Sequence, residues 1–154
     1  MATTGSRTRK GDVARRAWEL MFDFFVRTVP RRSEAMARRG LTPNDLRALG
    51  SLAEEDGRTM GALAEAWQCD ASNATLIVDR LERAGLAERR RMPGDARFRT
   101  VHLTPKGRRT YAELLEEFHT PPPEMLALTT EELRALERML ARIAGGTGES
   151  GERQ

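Results

Sequence analysis

Asp70-Ala71-Ser72-Asn73-Ala74-Thr75-Leu76-Ile77-Val78-Asp79-Arg80-Leu81-Glu82-Arg83-Ala84-Gly85-Leu86 carries two patterns at once. Ala74, Ile77, Val78 and Leu81 fall at i, i+3, i+4 and i+7, the apolar stripe of an amphipathic helix. Asp70 suits the N-cap and Gly85 the residue just past the C-terminus. The opposite face holds Ser72, Asn73, Thr75, Leu76, Asp79 and Arg80. Small hydroxyl and amide side chains near a helix N-terminus allow close approach to a major groove and hydrogen bonds to base edges. The positive end of the helix adds attraction for phosphate. Ser, Asn and Thr also start helices for purely local reasons, so this stretch alone leaves both readings open.

Its surroundings narrow the choice. On the N-terminal side, Thr59 begins a short helix with Leu63, Ala64 and Trp67 facing inward. Before that, Thr42-Pro43-Asn44-Asp45 supplies a cap, a proline for the first turn and an acid for the positive helix end. Leu46, Leu49 and Ala53 follow as its buried stripe. On the C-terminal side the period changes. Residues 86–91 and 99–103 read as two short strands joined by Met92-Pro93-Gly94-Asp95-Ala96, a proline–glycine turn. Arg89, Arg90 and Arg91 lead into that hairpin and Arg97 and Arg99 lead out. Like charges at that density are costly unless a polyanion neutralises them, and an arginine at such a tip suits a narrow minor groove. Two short helices, a tight turn and a basic hairpin predict a mainly α chain with a winged helix-turn-helix.

The flanks predict helices of a different kind. Residues 13–29 are apolar over more than one face, through Trp18, Leu20, Met21, Phe22, Phe24, Phe25 and Val26. Such a helix is either central in a core or shared with a second subunit. Pro30 is expected to kink or break it, with a further helical stretch closing at Gly40. Thr104-Pro105 starts a helix running through Phe118, and Pro121 to Pro123 stop it. Thr129 and Glu132 form a capping-box pattern ahead of Leu133, Leu136, Leu140 and Ile143. Residues 1–10 read as a flexible basic arm, 11–144 as a single domain and 145–154 as a flexible tail.

Composition sets the outer limits. At 154 residues the chain has one domain's length, with 39% hydrophobic and 32% charged residues and a net charge of +3. From Asp70 to Arg109 there are ten basic residues against five acidic, whereas from Tyr111 onward four arginines face nine glutamates. A basic middle and an acidic end fit a polyanion-binding face with a separate non-binding part. No apolar run approaches a membrane span, and one cysteine excludes an internal disulfide, so a cytoplasmic setting is expected.

The segment from Asp70 to Leu86 resembles the recognition helix and exit of the MarR family of transcription regulators. Asp95-Ala96-Arg97 followed by His102-Leu103-Thr104-Pro105-Lys106-Gly107 is similar to that family's Asp-x-Arg wing and the start of its next helix, and Leu41-Thr42-Pro43 to its usual lead into the second helix. The likeness runs from about Val13 to Ile143. It implies a homodimer on a pseudo-palindromic duplex DNA operator, with half-sites roughly 34–36 Å apart, and repression relieved by a small-molecule effector. It implies DNA contacts from Ser72, Asn73, Thr75, Leu76, Arg80, Arg91 and Arg99, and Arg97 in the minor groove oriented by Asp95. The winged helix would span about 42–104, with dimerisation helices at about 12–39 and 105–144, the latter through Leu133, Leu136, Leu140 and Ile143. The family's effector pocket would be lined here by Trp18, Phe22, Phe25 and Leu49.

Other residues carry weaker signals. Arg80 either contacts phosphate or pairs with Asp79 or Glu82. Cys69 is open to a redox role, though its place before the helix suits packing. His102 and His119 lack companions at metal-ligand spacing. No nucleophile–base set or phosphate loop is present, so no enzyme activity, metal or cofactor is expected. A winged helix docking a protein partner is the alternative.

Overall fold

The computed structural model describes the backbone of residues 4–92 and 95–145 and the side chains of residues 9–91 and 99–145. The chain divides into two compact units, residues 1–118 and 119–154.

The first unit opens with α1 (Thr4–Ala37), 34 residues that run through Pro30 without a break. The break expected at Pro30 does not occur, and helix already covers residues 4–10 of the expected arm. Beyond the proline, Ala35 and Met36 are buried in the core, so tertiary packing holds the last turns although one backbone hydrogen bond is missing. Upstream, the apolar residues of α1 are bare: Val13, Trp18, Leu20, Phe22, Phe25 and Val26 are all exposed. Of the two roles expected for this helix, the core of its own chain is not the one it has.

Next come α2 (Pro43–Glu54), β1 (Arg58–Thr59), α3 (Met60–Ala66), α4 (Ala71–Arg83), β2 (Ala87–Met92), β3 (Asp95–Leu103) and α5 (Pro105–His119). The sheet is antiparallel in the order β1-β3-β2. β1 escaped the sequence reading. It is two residues long, pairs Arg58 with Val101 and Thr59 with Thr100, and is defined only by that partner. The hairpin is also tighter than expected. Met92 faces Asp95 and a register shift lies between Arg91 and Met92, so β3 begins at Asp95 instead of Arg99. Its tip, Pro93-Gly94, lies outside the described residues.

The core gathers one face of each element. Leu49 and Leu52 of α2, Leu63 of α3, Ile77, Val78 and Leu81 of α4, Val101 and Leu103 of β3, and Leu114 of α5 are at most 3% exposed. Trp67, just past α3, joins them. Burying each large side chain stabilises the fold by about 1.5–3 kcal/mol, which fixes the rotation of α4 about its axis. Its polar face must point out.

The Leu-Thr-Pro-Lys-Gly segment then has a physical reading. The Thr104 hydroxyl donates to the Gly85 carbonyl at 2.7 Å and accepts from the Gly107 amide at 3.0 Å. The Lys106 ammonium donates to the Ala84 carbonyl at 2.7 Å, closing the negative end of α4. A Cβ at Gly107 would lie 2.0 Å from the Leu86 carbonyl oxygen, so only glycine lets α5 approach this closely. Gly85 itself has φ +70°.

The second unit holds α6 (Pro123–Leu126) and α7 (Thr130–Gly145). Pro123 starts a short helix here instead of only ending one, because a proline fits the first helical turn. The capping box forms: the Glu132 carboxylate accepts from the Thr129 amide and hydroxyl, each at 2.8 Å. No described helix is long and apolar enough to cross a membrane.

Candidate nucleic-acid interface

Local sequence sets α4 in place. The Asp70 carboxylate accepts from the Asn73 amide at 2.8 Å as N-cap. Before it, the turn passes through Gln68 at φ +51°, and the Arg47 guanidinium braces it by donating to the Trp67 carbonyl at 2.9 Å. Cys69 is half-buried against the core in this turn, which is the packing position. Ser72, Asn73, Thr75 and Leu76 are all exposed on α4, with Leu76 at 61%. The four expected readers therefore share one open face. The Thr75 hydroxyl donates to the Ala71 carbonyl at 2.8 Å, leaving its oxygen as an acceptor.

Arg80 is elsewhere. Its guanidinium donates to Thr42 Oγ1 at 2.9 Å and to Asp45 Oδ2. Asp45 is 1% exposed and also accepts from the Thr42 amide at 2.7 Å. Neither Asp79 nor Glu82 is its partner, because both are engaged by Arg89. The Arg89 guanidinium lies 2.8 Å from Asp79 Oδ1 and also meets Glu82, while the Arg89 amide donates to Glu82 at 2.7 Å. Buried Asp45 draws Arg80 inward, and the strand lays Arg89 across the acids that sequence spacing had offered to Arg80.

The wing's charge is thereby sorted. Arg89 is held by α4 and Arg90 by Glu88. Arg91 and Arg99 stand directly opposite each other across the hairpin, exposed, with no ion-pair partner among the described residues. Like charges in facing positions destabilise a sheet, and an anion between them would relieve that cost. The Asp95 and Arg97 side chains lie outside those described; their backbone belongs to β3.

On the other face of the sheet, Asp56 ties the hairpin down. It accepts from the Leu103 amide at 3.0 Å and from Arg108 at 2.9 Å, and its Oδ2 lies 3.1 Å from His102 Nδ1. His102 Nε2 in turn lies 2.9 Å from the Thr100 hydroxyl. Burial pushes the Asp56 carboxyl up, but the Leu103 amide, His102 and Arg108 together outweigh it and hold it below the ordinary aspartate value.

The expected effector residues differ in burial. Leu49 is fully buried, whereas Trp18, Phe22 and Phe25 are at least half exposed along α1. A groove runs between α2, α3 and α5. It has a volume of about 480 Å³ and is lined by Leu46, Arg47, Arg58, Trp67, Tyr111 and Phe118 among others. The Trp67 indole nitrogen is buried without a hydrogen-bond partner. Sequence periodicity marks these side chains only as core, so the groove was not legible. In the second unit, Leu133, Leu136 and Leu140 line an apolar groove of about 460 Å³ with Met125, and Ile143 is 63% exposed.

The MarR family model matches residues 39–97, which run from just after α1 through the wing tip. The HTH-type transcriptional repressor MdtR of Bacillus subtilis is 30% identical over 121 residues, covering 78% of either chain. The chain belongs to the MarR family. It is a transcription regulator of the winged-helix class, and MarR-family folds match its own. The crystal structure of the YusO protein from Bacillus subtilis matches with a TM-score of 0.71 and 26% identity, over 93% of this chain and 98% of that one. The transcriptional repressor CouR, bound to a 23-mer DNA duplex, matches with a TM-score of 0.57 and 30% identity over 81% and 89%.

Proposed function

We propose that this MarR-family regulator is a repressor that binds duplex DNA sequence-specifically as a homodimer. The observation that carries the reading is the pairing of an open polar face on α4 with Arg91 and Arg99 on the adjoining wing, which have no ion-pair partner among the described residues. α4 enters the major groove with Ser72, Asn73, Thr75 and Leu76. The wing follows the backbone with Arg91 and Arg99, and Arg97 reaches the minor groove. Arg80 has a positioning role through Asp45. CouR, whose fold this chain matches, is bound to a 23-mer DNA duplex, which supports duplex DNA as the partner.

A second subunit explains the bare apolar surface of α1 and, separately, that of α7, since monomers rarely expose apolar patches that large. Residues 12–39 and 105–144 are the dimerisation segments and 42–104 the DNA-binding unit. A small effector bound in the groove between α2, α3 and α5 would release the DNA by favouring a dimer whose α4 helices no longer fit the half-site spacing.

The test is fluorescence anisotropy with the DNA upstream of the protein's own gene against random duplex, across a salt series. Preference for the upstream duplex with affinity falling steeply as salt rises is the expected result. Equal weak binding at every salt concentration would refute sequence-specific repression at that site.

A further inference from the structure

Leu76 is an oddity on the face proposed to read DNA. It is 61% exposed on α4, one turn beyond Ser72 and Asn73, both also exposed. No apolar neighbour of α4 covers it, since Ala74, Ile77, Val78 and Leu81 all face the core. Helical side chains lean toward the N-terminus, so Leu76 covers the surface over the preceding turn, where base edges are met.

The rest of α4 defines which bases this face suits. Guanine is most often read by a bidentate cation. Arg80 is bound to Asp45 and Thr42, and Arg83 sits in the last turn with its Nε on the Asp79 carbonyl at 3.2 Å. Asp70 at the N-cap is an anion and repels the acceptor-rich guanine edge. Near the N-terminus remain an amide, Asn73, two hydroxyls, one of them already donating to its own helix, and the isobutyl group of Leu76. An amide pairs with the adenine N6/N7 edge, and an apolar group with the one apolar feature in the major groove, the thymine methyl.

Resting on the DNA-binding reading above, we infer that Leu76 is a specificity residue that packs on a thymine 5-methyl group in each half-site, so that α4 favours A·T pairs beneath its first two turns.

The test uses the full-length protein and the duplex it selects from a random-sequence pool. That duplex is then made with deoxyuridine in place of thymidine, one symmetric pair of positions at a time, which removes only the methyl. One position should weaken binding about fourfold per half-site, the worth of one buried methyl. Leu76→Ala, whose fold is checked by circular dichroism, should bind the thymine and uracil duplexes equally. Selection of no duplex would refute the DNA-reading assignment and this inference with it. A selected duplex bound equally with thymine and uracil at every position would refute the inference alone, as would undiminished discrimination by Leu76→Ala.

Discussion

Replacing Arg80 by Met keeps most of the side-chain stem and removes the guanidinium. What remains is Asp45, 1% exposed, its Oδ2 still accepting from the Thr42 amide and hydroxyl and its Oδ1 without a partner. Removing one member of a fully buried pair costs about 3–5 kcal/mol. Arg80 is itself 41% exposed, which screens the pair, and two hydrogen bonds to the carboxylate survive. The loss should therefore be about 2–3 kcal/mol. Asp45→Asn in the Arg80→Met background removes the stranded charge and should recover about 1 kcal/mol or more, whereas in the wild type it should destabilise. Urea unfolding at one fixed protomer concentration measures all four corners of this cycle. A loss below about 0.5 kcal/mol for Arg80→Met, or additivity of the two substitutions, would refute the pairing. At a temperature where Arg80→Met is fully folded, its salt slope of DNA binding should match wild type, since the guanidinium neutralises Asp45 and not a phosphate.

Arg91→Ala with Arg99→Ala should reduce the slope of log affinity against log salt by about 2 and weaken all duplexes alike; anisotropy titrations at several salt concentrations measure both. The same double variant should be no less stable in urea than wild type, because it relieves a facing like-charge pair. Gly107→Ala drives a methyl into the Leu86 carbonyl oxygen and should cost more than about 2 kcal/mol; a smaller shift in urea unfolding would mean that α5 moves away without penalty. Asp56 is held below its ordinary value despite burial, so the stability it contributes is full above about pH 4 and is lost as pH falls through its folded value. Asp56→Asn should thus be less stable than wild type at pH 7, with the gap narrowing as pH falls below the ordinary aspartate range in parallel urea titrations.

Local chemistry made the reading half of the molecule legible. Asp70, the stripe from Ala74 to Leu81, and Gly85 define α4 to within a residue, because cap, period and stop agree. The Thr129–Glu132 box and the Thr42-Pro43 start marked the first turns of α7 and α2 in the same way. What stayed hidden depends on partners distant in sequence. β1 exists only through β3, and Arg80 meets Asp45 from 35 residues away. The groove of Arg47, Trp67 and Tyr111 assembles from three helices whose apolar positions look like ordinary core. Pro30 misled because a local rule was applied to a helix whose far end is anchored by Ala35 and Met36.

The fastening of α4 at its C-terminal end bears on how such a protein could be retargeted. Lys106, Thr104, Glu82 and Arg89 hold the back half of the helix. Among the described residues, the side chains of Ser72, Asn73 and Leu76 make no intramolecular hydrogen bond. Exchanging those three exposed side chains should alter stability by no more than about 0.5 kcal/mol each. The molecule is built as a fixed handle with a replaceable bit. A library varied at positions 72, 73 and 76 alone should yield folded proteins with new operators at high frequency, whereas variation at 79, 80 or 82 would yield chiefly unstable ones.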